Sequence, residues 1–178
     1  MRLVRPTDAP GLLAAYRRNA AHLAPYEPRR GPRFTTLAGQ AERIAGRLRE
    51  WEAGQAVPWV LDGSGVAGGH PVIGTLTLSG IVRGPLLSGS VGYWVDQDHT
   101  GRGLAGQALA HAVRYARSTL GLHRLEAGTL LDNTASRRVL LRAGFTRYGT
   151  APAYLHIDGA WRDHHLYQRV LGEVEPRL

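Results

Sequence analysis

The sequence predicts an α/β fold in which helices flank a twisted mixed sheet of about seven strands. Segments rich in β-branched and aromatic residues, typical of strands, alternate with segments whose apolar residues recur at helical spacing. A long hairpin near the middle leads into a helix rich in small residues, which can pack closely on a sheet. The 178 residues include no cysteine and are expected to form a single domain, residues 1–178, without disulfides.

The first third of the chain predicts a short strand and two helices. Residues 3–4 form the strand, and Thr7 or Asp8 is expected to cap a helix that runs to Leu23. After an irregular basic loop, the same spacing predicts a second helix over residues 37–51, which ends before a glycine.

The hairpin and the elements around it supply the rest of the sheet. Strands are expected over residues 57–61, 71–82 and 86–95, the last two as arms of an antiparallel hairpin, and a helix over 103–120. Asn133 is expected to cap the next helix. The remaining predicted elements are a strand, this helix and three closing strands, at 124–130, 133–142, 145–148, 154–157 and 166–170.

The formal net charge of +8 predicts a polyanionic neighbour, such as a phosphorylated cofactor, a ribosome or a nucleic acid. Arginine supplies the charge without a basic tail or a stripe of interleaved aromatic residues, so direct nucleic-acid recognition is not expected. The first residues lack the apolar core of a signal peptide, and no stretch approaches the roughly 20 apolar residues that span a bilayer. We therefore expect a cytoplasmic protein without a membrane partner, as a monomer or a homodimer.

A glycine-rich turn between the hairpin and the following helix predicts an anion-binding site. Gly101 and Gly103 let the backbone approach a ligand, the helix start offers unpaired N–H groups, and Arg102 adds a positive charge. The run also matches G-x-G-x-x-G, with Glu126 at the spacing of a ribose-binding acid, but that fingerprint requires glycines directly after a strand. Phosphate binding is the preferred interpretation, and a dinucleotide fold and a purely structural turn are the alternatives.

Taken together, the hairpin, the glycine turn and the two helices that follow resemble the GNAT superfamily of acetyl-CoA-dependent N-acetyltransferases. The family motifs are the pyrophosphate loop Gln/Arg-x-x-Gly-x-Gly/Ala and a later Asn-x-x-Ser followed by Gly-Phe. They map onto Thr100, Gly103, Ala105, Asn133, Ser136, Gly144 and Phe145. Thr100 stands where glutamine or arginine is usual, so weaker side-chain support for the phosphates is expected. The resemblance implies the GNAT fold and acetyl-CoA as co-substrate.

Three further segments, residues 23–28, 81–85 and 154–166, resemble the ribosomal-protein-alanine N-acetyltransferase branch. This resemblance implies acetylation of the α-amino group of a protein N-terminus, typically of a ribosomal protein, and association with the ribosome. An α-amine with a pKa of about 7.7 to 8.0 is partly neutral at pH 7, whereas lysine at about 10.4 is not, so this acceptor demands less of a base. The alternatives are acetylation of a small amine and a catalytically silent module that binds acyl-CoA.

The resemblance also implies a set of cofactor-binding residues. They are Trp94, Val95, Thr100, Gly101, Arg102, Gly103, Leu104, Ala105, Asn133 and Ser136. Ser136 is expected to donate a hydrogen bond or a proton to the departing sulfur, and N–H groups near Trp94 and Val95 to face the thioester oxygen. Asn133 and Ser136 also suit a plain helix cap.

The proton acceptor is left open between two carboxylates. Glu126 lies on the strand beside the cofactor turn, and either faces the cleft or pairs with an arginine. Glu27 lies in the basic loop on the acceptor side, where it attracts a substrate ammonium or pairs with a neighbouring arginine. Tyr154 and His156 alternate onto one face of a late strand, as acceptor-pocket residues or as ordinary packing.

The adjacent histidines His164 and His165 raise the question of a metal site. On a strand their side chains point to opposite faces, and no second cluster supplies further ligands, so no metal is expected. Asp163 and His165 share a face, where a hydrogen bond between them is expected.

Overall fold

The computed structural model describes residues 1–65 and 70–172. Its strands are β1 (Arg2–Leu3), β2 (Val57–Val60), β3 (Gly74–Val82), β4 (Ser88–Val95), β5 (Arg124–Leu130), β6 (Thr146–Ile157) and β7 (Ala160–Val170). Its helices are α1 (Ala9–Arg18), α2 (Ala20–Leu23), α3 (Leu37–Glu52), α4 (Leu104–Ser118) and α5 (Thr134–Arg142). Within these residues the sheet has seven strands, in the order β1-β2-β3-β4-β5-β7-β6, and only β4 and β5 pair in parallel. The predicted α/β fold with a mixed sheet is confirmed.

Helices cover both faces of the sheet. Helices α4 and α5 pack on one face, the α4 face, where Leu76, Leu109 and Leu125 are fully buried. Helices α1 and α3 pack on the other, the α3 face, where Leu12 and Ile44 are buried. Burial of each such side chain contributes about 1.5–3 kcal/mol of transfer free energy, so both helical layers stabilise the sheet. No helix in the described part of the chain is long and apolar enough to cross a membrane.

Strands β4 and β5 diverge and leave a gap in the middle of the sheet. Their parallel pairing is limited to residues 88–90 of β4 and residues 124–126 of β5. Beyond that, β4 continues to Val95 and β5 to Leu130 without pairing to each other. Backbone groups on the facing edges of the two strands are therefore available to a ligand.

The turn before α4 depends on two glycines. Gly101 and Gly103 have φ values of 74° and 76°, in the left-handed region that costs other residues about 1–2 kcal/mol. Gly103 is the N-cap of α4 and provides no side-chain acceptor, so the first N–H groups of this helix lack a cap. Local sequence thus produces a helix start that is open to an anion.

The helix predicted to run to Leu23 is instead divided at Asn19. This residue leaves helical geometry, with φ −99° and ψ 12°, between α1 and α2. Its buried side chain donates to the Ala15 carbonyl (2.9 Å) and to Asp96 Oδ2 (3.0 Å), and accepts from the Gln97 N–H (2.8 Å). Contacts with a turn far along the chain therefore override the local helical preference.

The end of the chain forms one long hairpin. The predicted strands at 145–148 and 154–157 belong to the single strand β6, whose pairing with β7 shifts in register between Ala151 and Leu155. Strand β7 begins at Ala160, earlier than the predicted 166. A register shift explains the apparent interruption, because it disturbs the alternation of side chains without ending the strand.

The predicted hydrogen bond between Asp163 and His165 is wrong. Asp163 Oδ1 accepts from the Ala153 N–H (2.8 Å), and His165 Nδ1 lies 3.1 Å from Thr150 Oγ1. Both partners lie on β6, whose pairing with β7 is irregular at this point. Asp163 and His165 therefore each bond to β6 and not to each other.

Candidate active site

Two cavities meet at the gap between β4 and β5. The turn cavity, about 330 Å³, lies between the turn before α4 and the start of α5. The α3 cavity, about 340 Å³, lies between α3, the middle of the sheet, the end of β5 and the middle of β7. The residues that line both are Leu23, Tyr26, Tyr93, Trp94, Asn133 and Ser136. A group held in one cavity can therefore reach a group held in the other through the gap.

The turn cavity brings together nine of the ten residues predicted to bind the cofactor. These are Trp94, Val95, Thr100, Gly101, Gly103, Leu104, Ala105, Asn133 and Ser136. Arg102 lies in the same turn but does not line the cavity. The hydroxyl of Thr100 donates to the Gln97 carbonyl (2.9 Å) and so stabilises the turn itself. At the turn itself the donors open to an anion are therefore backbone N–H groups, and Arg142 also lines the cavity.

Backbone N–H groups of β4 point into the gap. The direction of the backbone groups alternates along an antiparallel strand, and the Asp96 N–H donates to the Ile73 carbonyl beside β3 (2.8 Å). Because the direction alternates, the N–H group of Trp94, two residues before Asp96, also faces β3. The N–H groups of Tyr93 and Val95 therefore face the gap. Of the two positions named from the sequence, Val95 is therefore the one that supplies a donor there.

A hydroxyl pair lies where the two cavities meet. Asn133 Oδ1 accepts from the Ser136 N–H (3.0 Å), so the predicted cap of α5 is confirmed. The hydroxyl of Tyr93 and Ser136 Oγ share a hydrogen bond of 3.0 Å. Burial raises the pKa of Tyr93 to about 12, against the smaller opposite effect of its bond with Ser136. The phenol therefore stays protonated at neutral pH and can donate in its hydrogen bond with Ser136 Oγ.

A buried carboxylate anchors the turn to the first helices. Asp96 is fully buried and accepts from Arg18 Nε (2.7 Å), Asn19 Nδ2 (3.0 Å) and the Asp98 N–H (3.1 Å). Burial alone would raise its pKa, but the hydrogen bonds from Asn19, Arg18 and Asp98 outweigh burial and hold the pKa below its usual value. The sequence did not predict this network, because Arg18 and Asn19 lie far from Asp96 along the chain.

The α3 cavity has a largely cationic wall. Arg30, Arg43 and Arg47 line it, and Glu27 is the only carboxylate that does so among residues 1–65 and 70–172. The carboxylate of Glu27 lies 3.6 Å from the Arg30 guanidinium. The ion pair anticipated for Glu27 is therefore present, in a position that also borders the cavity.

His164 lines the α3 cavity and was not assigned to a substrate site from the sequence. Its side chain is buried, and its Nδ1 lies 2.9 Å from the Arg162 carbonyl, which requires a proton on Nδ1. In the neutral ring, Nε2 then carries the lone pair. The sequence could not show which of the adjacent residues His164 and His165 faces the cavity, because that depends on the register of β7.

Three predicted residues do not line either cavity. Glu126 Oε1 lies 2.9 Å from Arg124 Nε, which is the arginine pairing considered for it. The exposed Tyr154 ring packs against His164, with centroids 5.4 Å apart. His156 packs against the exposed ring of Trp161 at 5.5 Å. The catalytic role of Glu126 and the substrate roles of Tyr154 and His156 stay predictions.

Comparison with known proteins identifies relatives along almost the whole chain. The model of the acetyltransferase (GNAT) domain matches residues 1–146. The [ribosomal protein uS5]-alanine N-acetyltransferase of Escherichia coli is 35% identical over 165 residues, which are 92% of this chain and 83% of that protein. The probable N-acetyltransferase YjcK of Bacillus subtilis is 35% identical over 164 residues, 90% of this chain and 89% of that protein.

Solved structures show the same architecture. The ribosomal-protein-S5-alanine acetyltransferase of Vibrio fischeri superposes with a TM-score of 0.92 at 32% identity, covering 98% of this chain and 94% of that one. Mycobacterium smegmatis RimJ in complex with CoA-disulfide superposes with a TM-score of 0.87 at 34% identity, covering 95% of this chain and 80% of that one.

Proposed function

The chain belongs to the GNAT acetyltransferase family, and from this we propose that it transfers an acetyl group from acetyl-CoA to the α-amino group of a protein N-terminus, with a ribosomal protein as the acceptor. The observation that carries the proposal is the meeting of two cavities at the gap between β4 and β5. The turn cavity suits the co-substrate, and the α3 cavity suits the acceptor. Relatives named as ribosomal-protein-alanine N-acetyltransferases support the choice of acceptor.

The residues of the turn cavity fit a thioester of coenzyme A. The uncapped start of α4 and the two left-handed glycines before it suit a pyrophosphate, through backbone N–H groups and the helix dipole. Coenzyme A bound there supplies an acetyl thioester to the gap. The N–H groups of Tyr93 and Val95 suit the thioester carbonyl oxygen, on which negative charge grows during attack.

The acyl transfer itself requires two proton movements. The amine nitrogen forms a bond to the carbonyl carbon, and the carbon–sulfur bond then breaks to release a thiolate. Ser136 lies at the meeting point of the cavities and suits protonation of that sulfur, and Tyr93 can then return a proton to the serine. Solvent restores the phenol proton, and the proton that the amine releases balances the one that the sulfur gains. Asn133 holds the first turn of α5 in place by capping it.

The proton released by the amine has two acceptors in the α3 cavity. Glu27 and His164 both line it, and His164 presents Nε2 as an acceptor when its ring is neutral. The cationic wall also lowers the pKa of an incoming amine, because positive neighbours disfavour its charged form. Roughly a tenth of an α-amine is already neutral at pH 7, against well under a thousandth of a lysine side chain, so this environment favours the α-amine.

Thiol release from acetyl-CoA tests the proposal directly. One set of peptides has free alanine or serine N-termini, and a matched set has blocked N-termini and internal lysines. Release only with free N-termini is the expected result. Release only with the lysine peptides would contradict it, and silence with both sets while coenzyme A binds in calorimetry would leave a small-amine transferase or a silent binding module.

A further inference from the structure

We propose that Arg43 and Tyr16 form a carboxylate-binding subsite in the α3 cavity, so that preferred acceptors carry an acidic group within a few residues of the reacting α-amine. The inference rests on the proposed function, because it assumes that an acceptor N-terminus enters this cavity. It adds a chemical class to the acceptor: a peptide whose second or third residue is acidic.

The hydroxyl of Tyr16 is the first observation. Tyr16 is only 5% exposed and lines the α3 cavity. Its oxygen accepts from Arg43 Nη1 (3.0 Å) and from Trp94 Nε1 (3.2 Å). These two donors occupy both lone pairs of the phenol, so its own proton must be donated elsewhere. No residue in the described ranges 1–65 and 70–172 accepts that proton, so the hydroxyl can donate it into the cavity, to water or to an oxygen of a bound substrate.

Arg43 is the second observation. Its guanidinium carbon lies 5.2 Å from the centroid of the Tyr16 ring and 5.4 Å from that of Phe34, and Nη1 is bonded to the Tyr16 hydroxyl. Within the part of the chain that the structure describes, no carboxylate lies at ion-pair distance from it. The two aromatic rings hold the guanidinium in place, and its remaining N–H groups suit the two oxygens of a carboxylate.

The charge of the wall favours a carboxylate over a neutral carbonyl. The other two arginines of the cavity have partners: Arg47 lies 2.8 Å from Glu50, and Arg30 lies 3.6 Å from Glu27. Arg43 therefore adds a positive charge that no described side chain balances. An acidic acceptor would balance it, and a basic one would be repelled.

The distance of the subsite from the gap suits a side chain near the N-terminus of a peptide. Trp94 belongs to β4, beside the backbone that faces the gap, and its indole reaches the Tyr16 hydroxyl. The subsite is therefore separated from the reacting centre by about the length of one indole side chain. An extended peptide advances about 3.3–3.6 Å per residue, so the second or third residue can place its side chain there.

Matched peptides test the subsite. Two pairs of peptides with free N-termini and amidated C-termini differ only in Glu or Gln, one pair at the second residue and the other at the third. A dipeptide tests whether a free C-terminal carboxylate is bound equally well in place of a side chain. We expect kcat/KM for the Glu peptide to exceed that for the Gln peptide by about tenfold, or about 1.4 kcal/mol. The ratio should shrink as salt screens the charges.

Variants assign the preference to the subsite. Arg43→Gln should bring the Glu/Gln ratio close to one, and Tyr16→Phe should lower it. Arg49→Gln, an exposed arginine of the same helix, should leave the ratio at its wild-type value. A ratio that persists in Arg43→Gln, or equal rates with the wild-type protein, would overturn the inference.

The inference and the proposed function fail in different ways. Transfer to both peptides at equal rates keeps α-amine transfer and removes the subsite. Absence of transfer, with the Glu peptide still binding the CoA-loaded protein about tenfold more tightly in calorimetry, keeps the subsite and removes the transfer. Absence of both transfer and any difference in binding removes both.

Discussion

Replacement of Asp96 by asparagine is expected to lower the free energy of unfolding by about 3 kcal/mol. The carboxylate is fully buried and accepts hydrogen bonds from Arg18 and Asn19, which join α1 and α2 to the turn before α4. Removal of one member of a buried ion pair costs about 3–5 kcal/mol, because the other charge is left without a partner. Arg18 retains 20% exposure of its side chain, so the lower end of that range applies.

Thermal and chemical unfolding measure this change. For a domain of this size, 3 kcal/mol corresponds to a fall in Tm of about 6–12 °C. Asp98→Asn is the matched control, since Asp98 lies in the same turn and is exposed. The double variant Arg18→Met/Asp96→Asn should recover part of the loss, because it also removes the unpaired cation. An Asp96→Asn protein within about 0.5 kcal/mol of wild type would show that the buried carboxylate does not stabilise the turn.

The same carboxylate predicts a pH dependence. The pKa of Asp96 is lowered in the folded protein from its ordinary value of 3.8, so its contribution is complete above that pH and is lost as the pH falls towards the folded pKa. Wild-type stability should therefore decline below about pH 4. Asp96→Asn should show a shallower decline over the same interval, and parallel curves for the two proteins would contradict this assignment.

Three further predictions concern the rate of acetyl transfer and the glycine turn before α4. Tyr93→Phe should lower kcat about fivefold to tenfold, the value of one hydrogen bond, with coenzyme A affinity within about twofold in calorimetry; an unchanged kcat would contradict the hydroxyl pair. Gly103→Ala should lower stability by about 1–2 kcal/mol and raise KM for acetyl-CoA, whereas Gly106→Ala, inside α4, should raise stability by about 0.5–1 kcal/mol. Glu27→Gln should lower kcat/KM for a peptide more than Glu126→Gln does, because Glu27 lines the α3 cavity and Glu126 does not. A larger loss of kcat/KM in Glu126→Gln would indicate that Glu126, and not Glu27, takes part in the reaction.

Local signals made much of the fold predictable. The strand predicted at 124–130 has those bounds in β5, and the cap predicted at Asn133 is present, because periodicity and capping depend only on neighbouring residues. The break at Asn19 was not predictable in this way. Its partner Asp96 lies 77 residues further along the chain.

The turn cavity was more predictable from the sequence than the α3 cavity, because its residues lie closer together along the chain. The turn cavity was largely predictable, since the contiguous turn at 100–105 contains the glycines that shape it. The α3 cavity draws Tyr16, Arg43, Trp94 and His164 from four separate elements. Which of them face one another depends on strand register and helix packing, and of the acceptor-side residues predicted from the sequence, Glu27 lines this cavity whereas Tyr154 and His156 do not.

The position of the acetyl group on a product peptide shows whether the protein acetylates α-amines or lysines. A peptide with both a free N-terminus and an internal lysine is incubated with the protein and acetyl-CoA, and tandem mass spectrometry locates the modification. We expect acetylation of the α-amino group with the lysine unmodified. Acetylation of the lysine with a free α-amine would contradict it.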